Sequence, residues 1–312
     1  MTPKYSVVIP TRNGAATLPA LLDALRSQRT TGALEIVAVD SGSTDGTIEL
    51  LQPHVQTLIR ISPEEFDHGL TRNLGVARAR GEFVVLLVQD ALPVGNMFLE
   101  SLSAPLARDG RVAGTFARQQ PRPEASAITR HYLGNWIAST TEPRTSALAE
   151  GQAQMDAMTP MARLLFCAFD NVASCIRRSI WETHPFKSTP IAEDLAWSLD
   201  VLRAGYSIAF APNALVIHSH NRGAVYEYRR TRVLHEQLFE LFGLQTIPAV
   251  PALIRAIAAS SLSHARLELR SPGQWARALT LAVAFPLGQY VGGRRAARRD
   301  NPRCTRLPPG TV

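Results

Sequence analysis

A glutamine and an aspartate follow six consecutive apolar residues, 83–88, three of which are valine. Such a run is typical of a strand that is buried on both faces of a parallel sheet. Gln89 and Asp90 come next, and Pro93 prevents the strand from continuing. Open α/β sheets bind their ligands beyond the carboxyl ends of their strands, so Asp90 is a candidate ligand-binding carboxylate. The alternative is a turn residue, because aspartate is common in turns.

Three more polar loops, 11–13, 40–43 and 67–73, carry side chains of the types that hold nucleotides. The carboxylate of Asp40 would accept a hydrogen bond from a base or a ribose, and the guanidinium of Arg72 would meet a diphosphate. The sequence contains neither GxGxxG nor GxxxxGKS/T, which argues against a classical dinucleotide site and a P-loop. The loops therefore favour a nucleotide that is bound by side chains and a metal ion. Each residue taken alone is more often a helix cap or a turn residue.

An alternation of strands and helices would bring these loops to one edge of a sheet. The pattern predicts strands and helices in turn: strands over 5–10, 34–39 and 55–61 before the apolar run, and helices from about 17, over 47–51 and over 70–80. Strand, turn and helix repeated in this order are typical of an α/β fold with a parallel sheet and helices on both faces.

The middle of the chain has a looser pattern. Residues 128–138 are predicted to be helical and residues 140–154 to form a mobile loop. The apolar segment 166–178, in which Asp170 is embedded, predicts a strand and a turn.

Two adjacent acids, Glu193 and Asp194, open a helix that is predicted to end near residue 205. Acids at a helix start also fit a purely capping role, because they stabilise the helix dipole. Two short predicted strands follow, and the second, 214–217, leads directly into His218 and His220.

The last third of the chain is predicted to be helical, and its segment 275–293 is the most apolar. This segment is shorter than the roughly 20 residues that span a bilayer, and it contains Pro286 and Gln289. It fits a helix that lies in a membrane interface, or packs on a partner, beside an Arg-rich tail. A core helix of the same domain fits equally well.

Composition narrows the class of protein. The 312 residues are 46% hydrophobic, and the three cysteines show no CxxC spacing, so neither a disulfide framework nor a zinc site is indicated. No signal-peptide pattern is seen, and a reducing, cytoplasmic location is expected.

The net charge of +7 is uneven, because residues 294–306 contain six arginines and one aspartate. The excess of positive charge favours an anionic surface as the binding partner of this tail. A solvated, partly disordered terminus explains the same composition. Nucleic acid is not expected as the partner, because the interleaved aromatics of a single-strand binder are missing.

Four segments resemble, in order, the family 2 glycosyltransferases of the GT-A fold: SVVIPTRNG, VDSGSTDGT, the VQDA strand end and AEDLAWSLDVLRAGY. The resemblance covers about residues 5–222. More narrowly, FDHGLTRNLGVARARGEFVVLLVQDALP is similar to bacterial rhamnosyltransferases, which show FxHGxxRN followed by QDA. The resemblance implies a nucleotide-sugar-binding half (1–120) and an acceptor-binding and catalytic half (121–222) of one domain. The residue pattern adds a C-terminal helical region with a basic tail (223–312), which the resemblance leaves largely uncovered.

The resemblance also implies a role for each candidate residue. Asp194 is the implied catalytic base, paired with Glu193, and Asp90 is the implied ligand of Mg²⁺ or Mn²⁺, helped by His218 or His220. Position 88 is valine where the family's DxD motif has its first acid, so metal-independent turnover stays open. The implied nucleotide-sugar contacts are Pro10, Thr11, Arg12, Asn13, Asp40, Ser41, Gly42, His68, Arg72, Gln89 and Asp90.

The implied reaction is an inverting transfer of a sugar from a nucleoside diphosphate. A divalent cation stabilises the departing diphosphate as a Lewis acid, and a carboxylate takes the proton of the acceptor hydroxyl. The expected donor is dTDP-L-rhamnose, and the expected acceptor is a cell-surface polysaccharide or a lipid-linked glycan.

A UDP- or GDP-linked sugar is the main alternative donor, and a non-enzymatic nucleotide-sugar or membrane-binding module is a further one. Peripheral contact with an anionic membrane through the C-terminal helices and the tail is expected, on the cytoplasmic face of the inner membrane. A homo-oligomer is left open.

Overall fold

The computed structural model describes residues 2–268 and 272–300. The described strands are β1 (Tyr5–Thr11), β2 (Leu34–Asp40), β3 (Thr57–Arg60), β4 (Phe83–Leu87), β5 (Leu92–Pro93), β6 (Val112–Gln120), β7 (Arg144–Ala147), β8 (Ala173–Arg177) and β9 (Ser207–Ile217). The described helices are α1 (Leu18–Arg26), α2 (Thr47–Leu51), α3 (His68–Arg78), α4 (Phe98–Arg108), α5 (Ala127–Gly134), α6 (Gln152–Ala157), α7 (Pro160–Phe166), α8 (Arg178–Trp181), α9 (Glu193–Arg203), α10 (Ala224–Phe242), α11 (Val250–Leu267) and α12 (Pro272–Asp300).

The nine described strands form one mixed sheet in the order β3-β2-β1-β4-β8-β6-β9-β5, with β7 paired to β9. The four strands β3, β2, β1 and β4 are parallel. Strand β8 enters antiparallel between β4 and β6, while β6 and β9 are parallel to each other. The expected mostly parallel sheet is confirmed. Because β1, β2 and β4 run in the same direction, their carboxyl ends meet at one edge.

Apolar side chains cover both faces of the sheet because they alternate along its inner strands. Val7 and Ile9 pack on one face with the leucines of α1, whereas Val8 packs on the other face with Val76 of α3. Helix α3 comes very close to β1 at Gly75, where a Cβ atom would stand 2.3 Å from Cγ1 of Val8. A side chain at this position would force α3, and with it the first turn of the helix, away from the sheet edge.

Two segments differ from the sequence prediction. The expected mobile loop 140–154 contains β7, whose polar residues Arg144–Ala147 pair antiparallel with β9. The two short strands predicted over 206–210 and 214–217 are one strand, β9. Pro212 and Asn213 suggest a turn in the sequence, but a shift of register against β6, between Ala117 and Arg118, accommodates them within the strand. Both differences arise from pairing with distant strands, which local pattern does not report.

The predicted helix over 128–138 is shorter than expected. Helix α5 ends at Gly134, and a separate 3₁₀ turn covers Ile137–Ser139. The bend places Trp136 between the two short helical pieces.

The three C-terminal helices pack against one another, and α12 lies closely along α10. A Cβ atom at Gly288 would stand 2.8 Å from the Cβ of Thr231, and one at Gly292 would stand 2.2 Å from the carbonyl oxygen of Arg232. The apolar segment 275–293 is therefore packed on its own chain along one side. No described helix is both long enough and apolar enough to cross a bilayer. Residues 301–312, with the last part of the Arg-rich tail and Cys304, lie outside the described residues.

Candidate active site

The loops after β1 and β2 are joined by hydrogen bonds at the carboxyl edge of the sheet. Pro10 and Thr11 end β1, and the carbonyl oxygen of Thr11 accepts bonds from Ser41 N at 2.9 Å and Ser41 Oγ at 3.0 Å. Asn13, whose φ is 48°, accepts a bond from Thr44 N at 2.9 Å through Oδ1. The two predicted nucleotide loops thus form one rigid rim.

Asp40 is buried and accepts hydrogen bonds from its own loop. Its Oδ1 accepts from Gly42 N at 3.1 Å and from Ser43 N at 2.9 Å, while Oδ2 accepts from Thr11 Oγ1 at 2.9 Å. Gly42 has a φ of +81°, which a residue with a Cβ atom adopts only with strain. In this structure Asp40 holds the loop in shape, and its contact with a base or a ribose stays a prediction.

Gln89 ties the end of β4 to the same rim. Its Oε1 accepts from Arg12 N at 2.9 Å, and its Nε2 donates to the Arg12 carbonyl oxygen at 2.9 Å. The amide thereby fixes both backbone polar groups of Arg12 and leaves the guanidinium exposed to solvent. A side chain placed in this way is free to meet a ligand.

Asp90 and two histidines form a compact cluster at the next position. Oδ1 of Asp90 lies 3.6 Å from His218 Nε2, and Oδ2 lies 3.2 Å from His220 Nε2. One ligand atom from each residue falls within 4.8 Å of the others. The three residues meet because β5 pairs with β9, with Leu92 opposite Ile217. Asp90 lies just before β5, and the two histidines lie just after β9.

The chemistry of the three side chains fits a divalent cation. Burial lowers the pKa of His218, and it lowers that of His220 to about 4, although Asp90 acts in the opposite direction on both. Both imidazoles are therefore neutral near pH 7 and keep a lone pair for a metal. Val88 is partly buried against the core, so it supplies no ligand, and the second histidine provides a third donor in its place.

Arg122, which the sequence did not single out, lies beside the same carboxylate. A guanidinium nitrogen of Arg122 stands 3.7 Å from Oδ2 of Asp90 and also donates to the Asp90 carbonyl oxygen. No local signal marked this residue, because it approaches from the loop after β6. It adds positive charge where a diphosphate would need it.

Glu193 and Asp194 begin α9 and have different environments. Asp194 accepts from Leu195 N at 2.8 Å through Oδ1 and from Asn171 N at 3.2 Å through Oδ2. Burial raises the pKa of Asp194 well above its usual range, and the charges of Glu193 and Asp170 add to the rise. A carboxylate with a raised pKa is a stronger base, which suits proton abstraction from a hydroxyl.

Glu193 instead pairs with Arg72 from α3. Its Oε1 lies 3.0 Å from Arg72 Nη1, and both side chains are more than nine-tenths buried. Arg72 also donates to the carbonyl oxygen of His68 at 2.7 Å, but its buried Nε has no hydrogen-bond partner within residues 2–268 and 272–300. An anion that bound beside this buried donor would give it a hydrogen-bond partner.

A second carboxylate, Asp170, borders Asp194 and was not predicted as a site residue. Its Oδ2 accepts from Gln119 Nε2 at 2.7 Å and from Trp136 Nε1 at 3.1 Å, and burial raises its pKa. The sequence did contain one signal for this residue, because Asp170 is an acid within the apolar segment 166–178. Its partners come from β6 and from the turn after α5, which no local pattern connects to it.

His68, Asp170 and His218 have one electrostatic neighbour in common, Arg230 of α10. Burial is the main cause of the shifted pKa values of His68, Asp170 and His218, and the positive charge of Arg230 on α10 lowers all three. The charge of Arg230 therefore acts on all three side chains. Gln89 joins the rim of β1 and β2 to the end of β4, next to Asp90.

Comparison with known proteins found a family match and two similar curated sequences. A family model described as Glycosyl transferase family 2 matches residues 6–163. The O-antigen chain rhamnosyltransferase WbaN of Salmonella anatum is 32% identical over 241 residues, which cover 75% of this chain and 72% of that protein. The O-antigen chain rhamnosyltransferase RfbN of Salmonella typhimurium is 28% identical over 240 residues, which cover 74% and 72%.

A solved structure carries the same fold. The mannosyltransferase PcManGT of Pyrobaculum calidifontis, in complex with GDP-Man and Mn²⁺, superposes with a TM-score of 0.60 at 21% identity and covers 91% of this chain and 86% of its own. This likeness confirms the predicted GT-A fold with its C-terminal helices. Together with the family match and the similarity to rhamnosyltransferases, it shows that the chain belongs to the family 2 glycosyl transferases and is a glycosyltransferase.

Proposed function

We propose that the protein is an inverting rhamnosyltransferase that moves L-rhamnose from dTDP-L-rhamnose to a hydroxyl of a cell-surface polysaccharide or a lipid-linked glycan. The observation that carries the proposal is the 28–32% identity to two O-antigen chain rhamnosyltransferases over about three quarters of the chain. The cluster at Asp90 and the base Asp194 supply the groups that such a transfer requires.

The donor would bind across the carboxyl edge of the sheet. The nucleoside would contact the rim built from Pro10, Thr11, Arg12, Asn13, Asp40, Ser41, Gly42 and Gln89. The diphosphate would lie between His68, Arg72 and Arg122, where the unpartnered Nε of Arg72 supports an anion contact. The guanidinium of Arg72 would then be shared between Glu193 and a phosphate oxygen.

A divalent cation would be held by Asp90, His218 and His220. When bound, it would neutralise charge on the leaving nucleoside diphosphate. Two imidazole nitrogens favour Mn²⁺ over Mg²⁺, because Mg²⁺ prefers oxygen ligands in a near-ideal octahedron. The cluster joins the donor-binding half, 1–120, to the acceptor-binding half, 121–222, in the proposed division of the chain.

Asp194 would act as the general base. The backbone N–H groups of Asn171 and Leu195 orient its carboxylate, and its raised pKa makes it a better proton acceptor. As the acceptor oxygen attacks the anomeric carbon opposite the diphosphate, its proton passes to Asp194. A single displacement of this kind inverts the configuration at the anomeric carbon.

The test is a panel of nucleotide sugars, with dTDP-L-rhamnose, UDP-glucose and GDP-mannose each added with and without Mn²⁺. The readout is protection against thermal unfolding, since a ligand at about 100 times its Kd stabilises the fold by roughly 2.7 kcal/mol. Selective protection by dTDP-L-rhamnose supports the proposal. Equal protection by all three donors would remove the rhamnose assignment while leaving glycosyl transfer intact.

A GDP- or UDP-linked donor is the second candidate, favoured by the similarity of fold to a structure that contains GDP-Man. Protection by GDP-mannose alone would select it. Protection without hydrolysis or transfer of any donor would select a non-enzymatic binding module. The cytoplasmic location and a homo-oligomer remain predictions.

A further inference from the structure

Helix α11 is as apolar as a core helix yet has only one buried residue, His264. Its exposed side chains recur every four residues, at Val250, Ile254, Ala258 and Leu262, and Ile254 is 63% exposed. Side chains at this spacing lie along one face of a helix. The neighbouring helix α12 repeats the pattern with exposed Trp275, Leu279 and Val283. We call these seven residues the apolar stripes.

The charged side chains carried by α11, and by α12 before its last residue, have one sign. Helix α11 contains no acidic residue, and α12 contains none before Asp300, its last residue. Arg255 follows Ile254 directly, and Arg266 continues the first stripe four residues beyond Leu262. Glu268, the acid nearest to α11, is buried, and its carboxylate accepts a bond from the Ile128 N–H.

The geometry points to an anionic lipid surface as the occupant of the apolar stripes. Apolar side chains between arginines on an amphipathic helix enter the boundary between headgroups and acyl chains, and tryptophan is enriched at that depth. A second copy of this chain fits less well, because a two-fold contact would bring the arginines of both copies together with no exposed acid on the stripes to pair with them.

The Arg-rich tail contributes less than the sequence suggested. Within the described part of the tail, Arg295 and Arg299 lie 3.8 Å and 3.7 Å from the carboxylate of Glu236 on α10, so their charge is partly neutralised within the fold. The proposed docking surface is therefore argued from the apolar stripes of α11 and α12 and does not depend on these two arginines.

The apolar stripes are connected to the acceptor side of the active site. Helix α11 contacts α5, where Tyr132 Oη and His264 Nε2 are 3.1 Å apart. A groove of about 320 Å³ lies beside Leu262 between His131 of α5 and Arg266. The segment after α5 carries Trp136, which donates to Asp170 next to the base. A membrane on this face would therefore present lipid-linked groups toward the acceptor side.

Vesicle flotation of the full chain tests the inference without any need for activity. Phosphatidylcholine vesicles and vesicles that also contain phosphatidylglycerol are compared, at low and at high salt. We expect binding to the anionic vesicles, weakened by salt. The Ile254→Glu variant and, separately, Val283→Glu should each weaken binding by about tenfold or more, since burial of an aliphatic side chain contributes roughly 1.5–3 kcal/mol.

Val94→Glu is the matched control, because Val94 and Val283 are both 41% exposed and the change of charge is identical. It should bind like the wild type, and all variants should keep the wild-type Tm because each site is exposed. Replacing Arg255 and Arg266 by glutamine should also weaken binding to anionic vesicles, which gives a second route should a glutamate variant fail to fold.

Three outcomes would overturn the inference. The first is no binding of the wild type to either vesicle, and the second is equal binding of Val283→Glu and Val94→Glu. The third is a wild-type dimer in sedimentation that Ile254→Glu converts to a monomer, which would assign the apolar stripes to a second copy of the chain.

Discussion

The carboxylates of Asp170 and Asp194 lie close enough for the charge of one to raise the pKa of the other. The intervening link is Asn171, whose backbone N–H donates to Asp194 and whose side chain donates to Glu193 Oε1 at 3.2 Å. The segment before β8 and the start of α9 are thereby held as one unit. This unit carries the proposed base, so its residues give the sharpest tests.

Replacing Asp194 by asparagine should reduce kcat by about 10²–10⁴-fold, because the acceptor hydroxyl then loses its general base. Donor binding, measured as thermal protection by the nucleotide sugar, should persist. Asp23→Asn is the control, since Asp23 is an exposed residue of α1 whose side chain pairs with Arg26. Undiminished turnover of Asp194→Asn would refute the assignment of the base.

The pH dependence of kcat/KM should carry the signature of the raised pKa. The base is active only when deprotonated, so activity is lost as pH falls through the pKa of Asp194. Because burial, Glu193 and Asp170 all raise this pKa, the acid limb should lie above the range of an ordinary aspartate.

Asp170→Asn tests the electrostatic part of that shift. The substitution removes a negative charge that raises the pKa of Asp194, so the acid limb should move to lower pH. A role that is only structural would lower the rate without moving the limb. Gln119→Ala serves as the comparison, since it removes a partner of Asp170 but leaves the charge.

If the cluster of Asp90, His218 and His220 holds the proposed cation, Asp90→Asn should lose Mn²⁺ binding. Calorimetry, or electron paramagnetic resonance of the free ion, would measure this loss. Asp90 is the only anionic member of the cluster and lies within 3.6 Å of a ring nitrogen from each histidine. Exposed Asp156→Asn on α6 should bind Mn²⁺ like the wild type. Retention of Mn²⁺ by Asp90→Asn would show that the ion is held elsewhere or only by the nucleotide.

The sequence predicted those parts of the fold that depend on local pattern. Helix α2 begins at residue 47 as predicted, and the buried run before Asp90 contains β4. Periodicity and turn residues act over a few positions, and a parallel βαβ arrangement follows from their order. The polar loops after β1, β2 and β4 were found for the same reason.

Contacts between distant segments were beyond local pattern. The insertion of β8 between β4 and β6, and the pairing of β5 with β9, are decided by tertiary packing. The approach of Gln119 and Trp136 to Asp170, and of Arg122 to Asp90, depends on that packing. The resemblance to a known family supplied the histidines of the metal cluster, but the structure was needed to show that both approach Asp90.

Arg72 has two assigned roles, an ion pair with buried Glu193 and a proposed contact with the donor. We expect substitutions to separate its effect on stability from its effect on donor affinity. Arg72→Met leaves the carboxylate of Glu193 buried without its cation, although the side chain of Asn171 still donates to it. The variant should lower the free energy of unfolding by about 3–5 kcal/mol in urea titrations. The double variant with Glu193→Gln removes the unpaired charge and should recover much of this loss. Donor affinity should stay low in both variants, since the proposed diphosphate contact is missing.

Arg80→Met provides the matched comparison for this last prediction. Arg80 pairs with buried Glu35 at 2.7 Å, but it is two-thirds exposed, and Glu35 keeps bonds from Ser6 Oγ and from the Arg80 backbone N–H. Its loss of stability should therefore be smaller, and donor affinity should be unchanged. If Arg72→Met cost no more stability than Arg80→Met and left donor affinity intact, Arg72 would have neither of the roles assigned to it.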